Sequence, residues 1–148
     1  MEDLWPDFKG MAPFKTPISI IKEHASKLEE KTNYMISADV EKDDTLGQIS
    51  VYDNKVYKDS LRPPFQYTFY LIAEALSYRY KLFCVAHDIF LYPIYLYGID
   101  KDIKDEFYPE QGGAMCINNE KELLVVLKNI FMAKKTVKVI QALLSQVS

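Results

Sequence analysis

Hydrophobic and aromatic residues are densest between Phe65 and Gly98 of this 148-residue chain. Tyr, Phe, Leu, Ile and Val at this density are typical of pleated, partly buried strands. The pattern predicts three consecutive strands, at about 66–74, 78–87 and 90–97. Because neither face of the first two strands is purely polar, we expect both to lie in the interior of the sheet.

Weaker strand patterns lie on both sides of this region. Residues 34–41 alternate as a strand does, and after a turn the pattern predicts a second strand at 47–52. Residues 56–57 begin a possible short returning strand, and residues 114–117 predict a short edge strand. The stretch at 69–76 is also compatible with a helix, because periodicity alone does not settle short apolar runs.

Helical periodicity precedes and follows the strands. Thr16 and Pro17 are typical of a helix start, since threonine caps free amides and proline suits the first position, and this helix is predicted to run to about Thr32. Asn118 or Asn119 is expected to cap a second helix, which a last helix follows. The predicted buried positions are Ile18, Ile21, Ala25 and Leu28 in the first helix, Leu123, Leu124, Leu127, Ile130 and Phe131 in the second, and Val137, Ile140, Leu143, Leu144 and Val147 in the third.

These elements predict an α+β fold with an N-terminal helix, a five- to six-stranded, mainly antiparallel sheet and two C-terminal helices packed on it. We expect one domain over residues 15–148, preceded by an irregular arm at 1–14. The apolar residues of the arm are expected to pack against the domain; alternatively, the arm is a disordered tail in which Trp5 and Phe8 bind a partner. The segment 98–113 is acidic and ends in Gly-Gly, which predicts a long exposed loop.

Composition narrows the class of protein. Hydrophobic residues make up 49% of the chain and charged residues 26%, which is typical of a folded domain. A net charge of −3 argues against general nucleic-acid binding, which needs clustered basic residues. Cys84 and Cys116 lack metal-site spacing, and each is predicted to be a buried free thiol in a reducing compartment. With no signal-peptide pattern and no apolar run of about 20 residues, the chain is expected to be cytoplasmic, with no membrane, metal or cofactor.

The candidate catalytic residues are His87 and Asp88. His87 closes the second central strand beside Asp88, and such a pair can act as a general base with its orienting carboxylate. The same two residues are compatible with a turn that holds a hydrogen-bonded imidazole. No nucleophile elbow, phosphate-binding loop or HExxH motif accompanies them.

Tyrosine and basic residues cluster in the strand region. Tyrosine suits positions with one buried and one wet end, and with Arg or Lys it can stack on a base, bind a phosphate or form a protein interface. A third interpretation is that the tyrosines pack under helices with their hydroxyls at the rim. The predicted ligand or partner surface consists of Arg79, Tyr80, Lys81, His87, Tyr92 and Tyr95.

Three stretches resemble a set of small bacterial proteins of unknown function: KTPISIIKEHASKLEEKT, YRYKLF followed by AHDIFLYP, and NEKELLVVLKNIF. The resemblance covers about residues 15–144. It implies a bacterial cytoplasmic domain with an opening helix, a strand cluster and a Glu-rich C-terminal helix, and it implies no activity or site. The segment 98–113 is an insertion relative to that pattern.

Three functions are compatible with these features. The first is a non-enzymatic bacterial interaction or regulatory domain, immunity-like, with a protein partner or a homodimer. It rests on a small acidic domain, the lack of a catalytic motif, and aromatic strands beside a long acidic loop. The alternative is a sensor domain that binds a small molecule or nucleotide around Arg79, Tyr80, His87 and Tyr92. The second alternative is an enzyme that uses His87 and Asp88.

Overall fold

The structure, a computed structural model, describes residues 2–42 and 65–147. These residues form a five-stranded antiparallel sheet with helices before and after it, which confirms the predicted α+β class. The strands are β1 (Ser37–Lys42), β2 (Phe65–Ala73), β3 (Tyr78–His87), β4 (Ile94–Tyr97) and β5 (Met115–Ile117). The helices are α1 (Pro17–Ala25), α2 (Lys27–Lys31), α3 (Lys101–Phe107), α4 (Glu120–Met132) and α5 (Lys134–Val147). The strands predicted at 47–52 and 56–57 lie outside the described residues.

The sheet is a meander in which spatial order follows chain order, β1-β2-β3-β4-β5. Strands β2 and β3 are interior, as predicted, and β5 is an edge. The stretch at 69–76 is strand to Ala73 and then a short 3₁₀ turn at Glu74–Leu76. The predicted strand at 90–97 is too long, since pairing begins at Ile94, directly after Pro93, which has no N–H to donate.

The opening helix starts as predicted but is broken once. Thr16 Oγ1 accepts a hydrogen bond from the Ser19 amide at 3.0 Å, and Pro17 occupies the first turn. Ser26 separates α1 from α2, and its hydroxyl donates to the Glu23 carbonyl at 2.7 Å. Ser26 keeps a helical conformation and its amide still donates to the Lys22 carbonyl at 3.0 Å, so the chain continues from α1 into α2 without a turn of another kind. Asn33, with a φ of 51°, then turns the chain toward β1.

The prediction of a loop throughout 98–113 is wrong, because the segment contains α3. Asp100 Oδ1 accepts from the Asp102 amide at 2.8 Å and caps the helix. Ile103 is buried in the main core, and Glu106 accepts a hydrogen bond from the Lys134 amide at 2.9 Å. One buried apolar side chain in seven residues is too little periodicity for a helix to be recognised from sequence.

Helix α4 resolves the choice between two capping asparagines. Asn119 Oδ1 accepts from the Glu122 amide at 2.9 Å, and the Glu122 carboxylate accepts from the Asn118 amide at 2.7 Å. Asn119 is therefore the N-cap. The α4 core positions are Leu123, Val126, Leu127 and Ile130, whereas the predicted Leu124 is exposed and Phe131 is only half-buried.

Helix α5 buries fewer apolar side chains than its sequence pattern predicts. Leu143 is buried, but Val137 is exposed. The buried neighbour of Val137 is Thr136, whose hydroxyl donates to the Ile130 carbonyl at 2.6 Å. This hydrogen bond ties the first turn of α5 to the last turn of α4.

The core lies mainly on one face of the sheet. Alternate side chains of the strands, including Phe69, Phe83 and Val85, pack there with α1, α3 and α4. Cys84 and Tyr95 belong to a second, smaller buried cluster on the opposite face. The helices therefore cover one face, as predicted. Cys116 is exposed, so the prediction that its thiol is buried is wrong.

The N-terminal arm, residues 2–14, does not pack as expected. Leu4, Trp5 and Phe14 are 87%, 78% and 81% exposed, and Phe8 and Met11 are also exposed. Local bonds hold its backbone instead, with Asp3 and Asp7 side chains accepting from amides two residues onward. Side chains that bond to their own turn favour compact turns over an extended strand that could join the sheet.

Candidate functional site

The predicted ligand or partner surface is divided between the two faces of the sheet. In the register of β3, Tyr80 opposite Leu71 faces the helices, while Arg79 and Lys81 face the other way. His87 also lies on the helix-covered face. It is eight residues from Arg79 along β3, which corresponds to about 25 Å at 3.3 Å per residue. These residues therefore do not converge on one concave site.

Arg79 is engaged by neighbouring strands. Its guanidinium forms an ion pair with Glu41 and lies 4.0 Å from the centre of the Tyr70 ring. The hydrogen bond to Glu41 raises the pKa of Arg79. Both partners are solvent-exposed, so the pair contributes at most about 1 kcal/mol to stability.

The His87–Asp88 pair predicted from adjacency is not formed between side chains. His87 Nδ1 donates to the backbone carbonyl of Asp88 at 2.6 Å, and the Asp88 carboxylate accepts from the Ile89 amide at 2.6 Å. The His87 ring stacks with Phe65 and Tyr67, at centroid distances of 5.1 and 5.9 Å. The turn with a hydrogen-bonded imidazole is thus the arrangement observed.

The remaining tyrosines of the predicted surface are partly or fully buried. Tyr95 belongs to the second buried cluster with Cys84. The Tyr80 hydroxyl donates to Asp100 Oδ2 at 3.2 Å, and burial followed by the Asp100 charge raises the pKa of Tyr80. Burial, followed by the charge of Glu120, also raises the pKa of Tyr92, whose hydroxyl has no hydrogen-bond partner among the described residues.

These environments predict opposite effects of removing two hydroxyls. Tyr92→Phe is expected to raise the free energy of unfolding by up to about 1 kcal/mol, because it removes a buried polar atom with no partner. Tyr80→Phe is expected to lower it by about 1 kcal/mol through loss of the bond to Asp100. Urea denaturation at pH 7 measures both, with Tyr78→Phe at an exposed position of β3 as the control. A destabilised Tyr92→Phe would contradict the structure.

Tyr80 and Tyr92 are also expected to make the free energy of unfolding depend on pH in alkaline solution. Because the pKa of each phenol is raised in the folded state, its contribution is intact below the unfolded value of about 10 and is lost as pH rises above it. We expect the free energy of unfolding to fall from about pH 10 upward, and to fall less steeply in Tyr80→Phe and Tyr92→Phe. An unchanged slope in both variants would contradict this.

The larger concave site lies elsewhere, between the helices and the β1 edge of the sheet. It is a groove of about 540 Å³, a volume typical of small-molecule sites. We call it the basic groove. Its described lining residues are His24, Ala25, Lys27, Leu28, Lys31, Ala38, Phe69, Leu71, Leu124, Leu127, Lys128, Phe131, Met132, Thr136 and Ile140.

The charge of the basic groove has one sign. Its floor is apolar, and Lys27, Lys31 and Lys128 stand exposed around it with His24. No Asp or Glu is among its described lining residues. The lysines approach from α2 on one side and α4 on the other, so a bound anionic group would meet positive charge from both walls.

A second depression, of about 390 Å³, lies beside α3 and α5. Lys134, Lys135 and Lys138 line it together with Asp102. Its charge is partly compensated, because Asp102 Oδ2 accepts a hydrogen bond from Lys135 Nζ at 3.3 Å. The basic groove is therefore the better candidate for binding an anion.

The sequence contained one signal for the basic groove. The apolar stripe of α4 is wider than a helix packed on one side needs, because Leu124 and Phe131 extend it beyond the core positions. Lys128 follows Leu124 by four residues, and Lys31 follows Lys27 by the same step, which places each pair on one helix face. The sequence pattern alone predicts that both apolar positions belong to the core.

Within 2–42 and 65–147, no three His, Cys, Asp or Glu side chains cluster as metal ligands would. No helix in the same ranges has the length and apolar character to cross a membrane. Comparisons with protein-family models, curated proteins and solved structures found no match to this chain.

Proposed function

We propose that this protein is a binding domain for a small amphipathic anion, held in the basic groove. The observation that carries the proposal is an apolar groove whose exposed charged rim, Lys27, Lys31 and Lys128, is wholly cationic. A carboxylate or phosphate head would lie at the lysines, with an apolar chain on the floor formed by residues such as Phe69 and Leu127. The sequence pattern also predicts, as an alternative, a domain that binds a small ligand, but it places the ligand around Arg79, Tyr80, His87 and Tyr92 and not in the basic groove.

The two parts of such a ligand contribute differently. Each methylene group buried on the floor contributes about 0.8 kcal/mol, so affinity should grow with chain length. The exposed lysines contribute less per charge, and salt screens their contribution. Binding should therefore depend strongly on chain length and moderately on salt concentration.

The proposal includes a bacterial origin, which rests only on the sequence resemblance over about residues 15–144, and a cytoplasmic location. Its support is that Cys84 and Cys116 are both free thiols, the first buried and the second exposed. Free cysteines are typical of reducing compartments.

Thermal unfolding with three ten-carbon amphiphiles tests the proposal. Decanoate below its micelle-forming concentration should raise Tm by several degrees, because a ligand that binds only the folded state stabilises it. Decanol should raise Tm less, and decyltrimethylammonium should not raise it. Equal effects of all three, or no effect of decanoate, would contradict the proposal.

The charge of the rim can be tested separately. Lys128→Glu is expected to weaken decanoate binding about tenfold, since it replaces an attraction of the order of 1 kcal/mol by a repulsion. Calorimetric titration measures the affinity. Lys121→Glu is the matched control, because it makes the same charge change on an exposed residue of α4 that does not line the groove. Equal weakening in both variants would mean that the site is not the basic groove.

A second candidate function is protein interaction, and the exposed apolar arm favours it. Leu4, Trp5 and Phe8 present large apolar side chains to solvent within five residues. Light scattering on protein purified gently from its own host tests this candidate. A companion chain that a Trp5→Ala, Phe8→Ala double variant loses would support it. A mass near 17.2 kDa for both proteins would contradict it.

A further inference from the structure

The N-terminal arm and the basic groove are complementary surfaces of the same chain. Five large apolar side chains of the arm, Leu4, Trp5, Phe8, Met11 and Phe14, are exposed. Exposed apolar residues at this density are typical of interaction sites. The groove offers the apolar floor that such side chains need.

Their charges are also opposite. Residues 2–14 contain three acidic residues, Glu2, Asp3 and Asp7, and one basic residue, Lys9. The acidic residues flank the aromatic ones, as the lysines of the groove flank its apolar floor. Complementary charge at the rim of an apolar contact steers association and fixes its register.

We infer that the arm of one copy of this chain docks in the basic groove of a second copy. The arm is anchored at its base, where Lys15 Nζ lies 3.3 Å from Glu120 at the start of α4. The groove is lined by the other end of α4, from Leu124 to Met132. Residues 120 and 128 are about 12 Å apart along a helix axis. In the structure the chain's own arm leaves its apolar side chains exposed while Asp3 and Asp7 hold its turns. The groove is therefore open to the arm of a second copy.

Such docking is reciprocal. If each copy places its arm in the other's groove, the same contact forms twice and the assembly closes as a two-fold dimer. Ligand binding in the groove would compete with the arm. The inference does not depend on the proposed ligand, however, and it is tested without any ligand present.

Trp5 is the only tryptophan of the chain and reports directly on docking. The experiment measures its fluorescence and the mass by light scattering over the same range of protein concentration. We expect the mass to rise from 17.2 kDa toward twice that value as the Trp5 emission shifts to the blue. A constant mass of 17.2 kDa with exposed Trp5 emission would overturn the inference. So would a blue-shifted emission that is independent of concentration at that mass, since it would mean that the chain's own arm docks.

A charge exchange gives the control. Asp7→Lys and Lys128→Glu are each expected to weaken dimerisation about tenfold, and an equimolar mixture of the two should recover dimers. In the mixed dimer, each arm meets a groove of opposite charge. Loss of the Asp7 turn alone would not be rescued by mixing, so a mixture no better than either variant would overturn the inference. The titration of the unmodified chain with decanoate is a separate measurement, so failure of the dimer and failure of ligand binding can be distinguished.

Discussion

Replacing Ile103 with alanine is expected to lower the free energy of unfolding by about 2–5 kcal/mol, which is the usual cost of truncating a fully buried isoleucine. Ile103 has 0% exposure and belongs to the main core, although it lies in a short helix on the surface. It is the only buried residue of α3, and the half-buried Phe107 is the other side chain of this helix that packs against the core. Urea denaturation of the purified variant measures the effect.

Lys101→Ala is the matched control for Ile103→Ala. Lys101 is the first residue of the same helix and is exposed, so its truncation should change the free energy of unfolding by no more than about 0.5 kcal/mol. A loss below about 1 kcal/mol for Ile103→Ala would mean that the segment behaves as the exposed loop predicted from sequence. A large loss restricted to Ile103 would establish that α3 is docked.

Replacing Phe69 with alanine is expected to cost about 3–5 kcal/mol. Phe69 is 1% exposed on β2. Its ring stacks with Phe83 at a centroid distance of 4.9 Å and contacts the tilted ring of Phe131 at 5.4 Å. It also forms part of the floor of the basic groove. The substitution therefore removes the centre of an aromatic cluster that joins the sheet to α4.

Phe69→Leu separates the loss of volume from the loss of the ring. It retains most of the apolar volume, and a cost below about 1.5 kcal/mol is expected. Thermal and urea unfolding of both variants provide the comparison. If Phe69→Ala lost less than Phe69→Leu, or less than about 1 kcal/mol, Phe69 would not be a core residue of the helix-covered face.

Local chemistry allowed much of the fold to be predicted. Thr16 and Pro17 start the first helix, and the apolar runs that become β2 and β3 form interior strands, because capping and side-chain alternation act over a few residues. Asn119 caps α4 for the same reason. The α+β class followed from the order of these elements.

Features that depend on tertiary contacts were not predicted. The single buried residue of α3, Ile103, gains its significance only from the core that it enters. The arm was expected to pack because it is apolar, yet Leu4 and Trp5 remain exposed.

The candidate site was even harder to predict from the sequence, because it depends on contacts between distant parts of the chain. His87 and Asp88 are adjacent in sequence, but neighbouring side chains at the end of a strand point in different directions, and the carboxylate bonds elsewhere. The basic groove brings together three parts of the chain that are distant in sequence: α1, α2 and β1, then β2, and finally α4 and α5. Only the wide stripe of α4 and the lysine spacing pointed to it.

The most direct test is a decanoate titration of the ¹⁵N-labelled protein, followed by the amide resonances. We predict saturating one-to-one shifts at residues that line the basic groove, including Ala38, Leu71 and Lys128, with little change at Cys84 or Tyr95 on the opposite face. Shifts centred on those two residues, or no saturable shift at all, would contradict binding in the basic groove.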